Sequence, residues 1–95
     1  LQQALYFRLG EHLLAAGEGL RQVVTVPGLT RVPRVGPELL GLFSVRGEVL
    51  PLIDLRPLIG EHPAALGRGA GQAAALLEHG GRRIALLLDE VLGFF

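Results

Sequence analysis

The sequence contains no cysteine, methionine or tryptophan in its 95 residues. Without thiols, disulfide scaffolds, cysteine-ligated zinc, iron–sulfur clusters and thiol catalysis are excluded. Lysine is absent as well, because all 9 basic residues are arginine. That removes Schiff-base and P-loop lysine chemistry. Asparagine is missing, and Ser44 is the sole serine, which leaves Thr25, Thr30 and Tyr6 as the other hydroxyls. Charge of one sign is also lacking: Lys+Arg 9 against Asp+Glu 9 gives a formal net charge of zero. No basic excess marks a nucleic-acid binder, and no charge run marks an acidic tail or a polybasic membrane anchor. No window reaches the roughly 18 apolar residues of a membrane-spanning helix. No basic stretch followed by an apolar run marks a secretion signal. A bacterial cytoplasmic location is therefore the expectation.

What is present is an apolar chain, with 49% hydrophobic residues and a mean hydropathy of +0.44. It is too hydrophobic for disorder and has the length of one modest domain. The aromatic run Ala4 to Leu9 reads as a strand, with His12 to Ala16 as its hairpin partner. A helical turn is expected over Glu18 to Gln22, then a β-branched strand over Val23 to Val26. Pro27, Pro33 and Pro37 make the following segment irregular, with a short helical turn expected over Glu38 to Leu40. Leu42 to Val45 and Glu48 to Asp54 flank Arg46-Gly47, the pattern of a two-residue hairpin turn. Pro51 demotes the second of these strands to an edge or a bulge. Asp54 is placed to cap a short helix over Leu55 to Ile59 that ends at Gly60. Glu61 to Gly71 reads as a mobile loop. Gln72 to Glu78 and Arg83 to Leu88 form a second hairpin with a slightly longer turn, and Val91 to Phe95 continues as apolar backbone. About seven strands without a long helix define an all-β, barrel-like domain.

The chemistry-bearing residues are sparse. His12, His62 and His79 occupy separate turns or loops with no ligand spacing between them, so they read as surface residues and no metal is expected. Asp54, Asp89 and Glu90 read as strand-end charges or caps. Ser44 lacks a nucleophile elbow. Gly67, Gly69 and Gly71 lack the following helix that a phosphate loop needs. No catalytic residue, cofactor or metal site is assigned, and an enzyme is not expected. Arg46 remains, displayed on a hairpin tip. It is either an interface guanidinium or an ordinary solvated turn residue.

The stretch Gly41-Leu42-Phe43-Ser44-Val45-Arg46-Gly47-Glu48-Val49-Leu50-Pro51-Leu52-Ile53-Asp54-Leu55-Arg56 closely resembles the CheW-like domain of bacterial chemotaxis. The Arg-Gly turn, the proline and the Asp-Leu-Arg triplet fall in register with that family's pattern. Tyr6 to Gly10 is similar to its first strand, Leu20 to Val24 to its next conserved segment, Thr30 to Pro37 to its proline loop and Ile84 to Gly93 to a later strand.

The resemblance implies SH3-like β-barrel subdomains and a single CheW-like domain over residues 1–95, cut short after its Asp-Glu-Val-Leu-Gly segment, with the second barrel incomplete. It implies a non-enzymatic adaptor that couples the cytoplasmic tip of a chemoreceptor to the regulatory domain of the histidine kinase CheA. Val45, Arg46, Gly47, Glu48, Gln22 and Arg56 are the partner-binding residues expected on this basis. Ser44 stands where the family usually has Asn, and Gln22 where Glu is common. The alternative is a self-associating barrel module without coupling activity, a homo-oligomer joined through an open apolar end at Phe94 and Phe95.

Overall fold

The computed structural model describes residues 4–33, 35–62 and 69–95. Strands β1 (Leu5–Leu9), β2 (His12–Ala16), β3 (Leu20–Thr25), β4 (Leu39–Val45), β5 (Glu48–Ile53), β6 (Ala73–His79), β7 (Arg82–Leu88) and β8 (Glu90–Phe94) follow one another, with one 3₁₀ turn at Arg56–Ile59. They form a three-stranded sheet in the order β2-β1-β8 and a five-stranded sheet in the order β3-β6-β7-β5-β4. The all-β expectation holds, with eight strands among the described residues where about seven were expected. The extra strand is β8. Asp89 ends β7, and the chain then leaves the five-stranded sheet to pair with β1. The apolar segment Val91 to Phe95 is thus largely a strand of its own.

Two apolar clusters hold the sheets. Val26, Phe43, Leu50, Leu52, Ala74, Leu76, Ala85 and Leu87 form the core enclosed by the five-stranded sheet. Leu5, Phe7, Leu9, Ala75 and Leu88 form a second core between the sheets. Strands β6 and β7 therefore serve both clusters, which is why they read as unbroken Ala/Leu runs rather than as alternating ones. The five-stranded sheet curls: Thr30, beyond β3, exchanges two backbone hydrogen bonds of 2.8 Å with Leu42 of β4. That bridge joins the two edge strands at one end. Gly41, within β4, has Thr30 O only 2.6 Å from where a Cβ would sit, so this close approach requires glycine.

Several local expectations are corrected by tertiary pairing. Residues 18–22 form no helical turn: β3 starts at Leu20, because the Glu78 N–H of β6 bonds the Gly19 carbonyl and draws the chain into the sheet. At 38–40 there is likewise no helix; a tight turn closed by Leu39 N–H to Gly36 O leads directly into β4. β5 is an interior strand, between β7 and β4. Pro51 is tolerated there because the parallel ladder to β7 starts at Leu52, one residue past the missing N–H. The bulge lies opposite, between Leu39 and Gly41. The β6–β7 turn is the tight two-residue Gly80-Gly81, both at positive φ, since His79 pairs with Arg82. The helix after β5 is a 3₁₀ turn ending at a left-handed Gly60, with the Asp54 carboxylate accepting the Arg56 N–H at 3.1 Å. The loop expected over Glu61 to Gly71 falls in part, at 63–68, outside the described residues.

Arg56 is the main correction to the expected partner-binding set. Its side chain is buried, 8% exposed, rather than presented to a partner. Arg56 Nη1 donates to Asp54 Oδ1 at 3.1 Å and Nη2 to Asp89 Oδ1. The other Asp89 oxygen accepts the Gly10 N–H at 2.7 Å and lies 3.7 Å from Arg8. Desolvation acts to lower the Arg56 pKa, but hydrogen bonds and charge from Asp89 and Asp54 outweigh it and hold the guanidinium above its ordinary value. For Asp89, desolvation acts upward, and the Gly10 N–H with Arg56 overcomes it, so its carboxyl sits below the ordinary 3.8. This cluster ties the end of β5 to the point where the chain changes sheets.

Arg56→Ala removes the guanidinium that Asp54 and Asp89 share and should cost about 3–5 kcal/mol in urea unfolding. Asp89 has a depressed pKa in the fold, so its contribution is complete above the unfolded value and is lost as pH falls below about 4. Asp89→Asn should therefore be less stable than the parent at pH 7 and show a shallower loss of stability on acidification, read from thermal melts across that range.

Candidate functional site

The β4–β5 turn has Arg46 at φ 51° and Gly47 at φ 82°. Positive φ at both central residues defines a type I′ turn, whose twist matches the flanking strands. Gly47 adopts that geometry freely. Arg46 does not: a β-carbon in the left-handed region costs roughly 1–2 kcal/mol, and Asn or Asp normally stands there. Among the described residues Arg46 is alone as a non-glycine at positive φ. A strained arginine at a hairpin tip points to a task for its guanidinium.

The sheet order brings that tip to the open end of the five-stranded sheet. Because β5 and β7 run parallel, the Arg46-Gly47 turn and the Gly80-Gly81 turn lie at the same end. Alternation along each strand then continues the inward-facing rows to that end. Glu48 is in phase with Leu50 and Leu52, Glu78 with Leu76 and Ala74, Arg83 with Ala85 and Leu87, Gln22 with Val24 and Val26, and Val45 with Phe43. Each apolar row of β3, β6, β7 and β5 thus ends in a polar side chain.

These side chains pair across neighbouring strands. Arg21 of β3 donates to Glu78 of β6, Glu78 accepts from Arg83 of β7 at 2.9 Å, and Arg83 reaches Glu48 of β5 at 2.9 Å. A register shift between Leu20 and Gln22 makes Arg21 the bulged residue of β3, which re-aims its side chain. Bonds from Arg83 and then Arg21 hold the Glu78 carboxyl below the usual carboxylate range. Arg83 is held above its ordinary value by Glu78 and Glu48. Arg46 makes no ion pair with any described residue.

Below this ladder lies a groove of about 430 Å³, lined by Gln22, Val45, Arg46, Glu48 and Leu77, floored by Leu50 and Leu76, and rimmed by Arg21 and Arg83. It spans the edge strands β3 and β4, which are not hydrogen-bonded to each other in the sheet. Of the residues expected to bind a partner, Gln22, Val45, Arg46 and Glu48 meet here and Gly47 adjoins them, whereas Arg56 sits in the inter-sheet cluster. Arg21, Arg83, Leu76 and Leu77 were not singled out by sequence reasoning. Only the β6 and β7 pairing reveals them. The arrangement has no nucleophile–base pair; it is an apolar hollow with charged walls, suited to binding rather than to reaction. His12 belongs elsewhere, with Nδ1 at 2.8 Å from Glu61 Oε2. No helix among the described residues is long and apolar enough to cross a membrane.

The protein is an all-β pair of sheets whose hairpin tip lines a groove of binding character. The model of the CheW-like domain family matches residues 3–95, so the chain belongs to that family. It is a CheW-like scaffold domain, of a family that is non-enzymatic. Over 88 residues the chain is 31% identical to Protein PilI of Pseudomonas aeruginosa, covering 92% of this chain and 48% of PilI. The crystal structure of the scaffolding protein TtCheW from Thermoanaerobacter tengcongensis is similar in fold, with a TM-score of 0.80 at 23% sequence identity. That likeness covers 99% of this chain and 64% of TtCheW. The chain thus spans about half the length of PilI and under two thirds of TtCheW.

Arg46→Asn should leave the hairpin intact and raise stability by about 1 kcal/mol, since asparagine tolerates the left-handed region. Gly47→Ala should lower it by about the same amount despite open space around the site. Thermal denaturation of both variants checks the assignment of the turn.

Proposed function

We propose that the chain is a signalling adaptor of the chemotaxis type, coupling the cytoplasmic tip of a chemoreceptor to the regulatory domain of a CheA histidine kinase by protein–protein contacts. Val45, Arg46, Gly47, Glu48 and Gln22 form one of its docking faces, and it works in the cytoplasm. The observation that carries this reading is the unpaired, conformationally strained Arg46 on the rim of an apolar groove. Membership of a scaffold family supports it. The mechanism is passive: a rigid β framework holds partners together, and any signal passes through a difference in affinity for their states.

A second reading, a self-associating module without coupling activity, has its own observation. β8 is an edge strand, and Phe94 and Phe95 near its end are 50% and 74% exposed. An unpaired edge with apolar side chains is a site for strand pairing with another chain. Light scattering at micromolar concentration separates the two readings: a dimer favours the second, a monomer removes it.

Arg46→Glu reverses the charge at the tip while leaving both cores untouched. It should weaken binding to a CheA regulatory domain or a receptor-tip fragment by at least about tenfold in calorimetry, with unchanged circular dichroism. Unaltered affinity for both partners would remove the tip from the docking face.

A further inference from the structure

We infer that the groove at the open end of the five-stranded sheet is a socket for a segment presenting one carboxylate beside one aliphatic side chain, with Arg46 taking the carboxylate. The inference rests on the proposed docking role of this face and names the chemistry the face selects.

Charge complementarity decides the occupant. Three guanidinium groups line the groove, from Arg21, Arg46 and Arg83. Two of them are committed: Arg21 to Glu78, and Arg83 to both Glu78 and Glu48. Arg46 alone of the three has no carboxylate partner. A guanidinium offers a planar fork that matches a carboxylate with two parallel bonds. The groove therefore has one open anion position, beside a floor of Leu50 and Leu76 and the half-buried Val45.

The rest of the rim sets limits on the occupant. Glu48 stands two positions from Arg46 on the same hairpin and lines the same groove. A second incoming carboxylate would meet Glu48 with no further uncommitted guanidinium among the described lining residues, so a paired acidic motif is disfavoured by like charge. A basic segment would have to face three guanidiniums across the apolar floor. Strand addition is discouraged at β3, where the bulge at Arg21 breaks the edge. The hollow, about 430 Å³, falls at the low end of the roughly 300–1,000 Å³ range of pockets that enclose small ligands. It has room for the side chains of one short segment.

The test is a methyl-NMR titration of the leucine-labelled protein with blocked tetrapeptides. The probes are Gly-Glu-Leu-Gly, its Gly-Gln-Leu-Gly counterpart, and Gly-Glu-Glu-Gly. The first should give saturable shifts at the Leu50 and Leu76 methyls, weakening as salt is added. The glutamine peptide should bind at least about tenfold more weakly, as expected when a charge-assisted bond is lost. The doubly acidic peptide should bind no better than the glutamine one. In Arg46→Asn, which keeps the turn, the first peptide should fall to the glutamine level. Absence of saturable shifts, shifts confined to other methyls, equal binding of the Glu and Gln peptides, tightest binding of the doubly acidic one, or insensitivity to Arg46→Asn each overturns the socket. A failed titration alongside lost kinase or receptor binding in Arg46→Glu would leave the docking face standing and remove only its assigned chemistry. A positive titration with unaltered kinase and receptor binding would do the reverse.

Discussion

A guanidinium held between two carboxylates governs how the two sheets of this protein meet. Arg56 comes just after β5 in the five-stranded sheet, and Asp89 sits where the chain passes from β7 into β8 of the other sheet. Hydrophobic contact between the sheets is non-directional and would tolerate sliding. The Arg56 fork is directional, and with Asp54 and the Gly10 N–H it allows one arrangement. The guanidinium offsets the cost of bringing both carboxylates out of water. In the Asp-Leu-Arg triplet, the arginine that looks like an interface residue in sequence is thus a fastening of the fold.

That fastening has a consequence at the far end of the molecule. Fixing the end of β5 beside the end of β7 supports their parallel pairing, at Leu52 with Ala85 and Ile53 with Leu86. Parallel pairing places both hairpin tips at one end and aligns Glu48 with Arg83. The charges that cap the apolar rows are exposed, apart from the half-buried Glu78, and contribute little to stability. Their effect is to occupy Arg21 and Arg83 and leave Arg46 open. The residue that breaks the turn's own preference is also the one groove arginine with no ion pair to a described residue, so local strain and an open guanidinium converge on one side chain.

Much of the fold was legible along the chain. The Arg46-Gly47 hairpin, the β1–β2 hairpin and the turn ending at Gly60 follow from local chemistry: glycine at positive φ, alternation, and an aspartate placed to accept a backbone N–H. What misled was equally physical. Residues 18–22 were taken for a helical turn because strand pairing with β6, from far along the chain, is not visible in local propensity. Pro51 pointed to an edge strand because its lack of a donor is local, whereas the position at which the β7 ladder begins is not. Asp89-Glu90 was legible as the end of a strand, but that the apolar residues after it form a further strand was not, because their partner β1 lies at the other end of the chain.

The sequence alone determined the all-β class, the exclusion of thiol and lysine chemistry, the family resemblance and the arginine tip, all of which depend on composition or on neighbours within a few residues. The tertiary structure decided which residues of that resemblance face outward. Arg56 and Arg46 belong to the same matching stretch, yet one is buried between carboxylates and the other stands at the rim of a groove. The groove itself, with Leu76, Leu77, Arg21 and Arg83, exists because β3, β6 and β7 curl around to meet the tip. Those contacts join residues as far as 57 positions apart, and no local pattern in the chain encodes which strands will be neighbours.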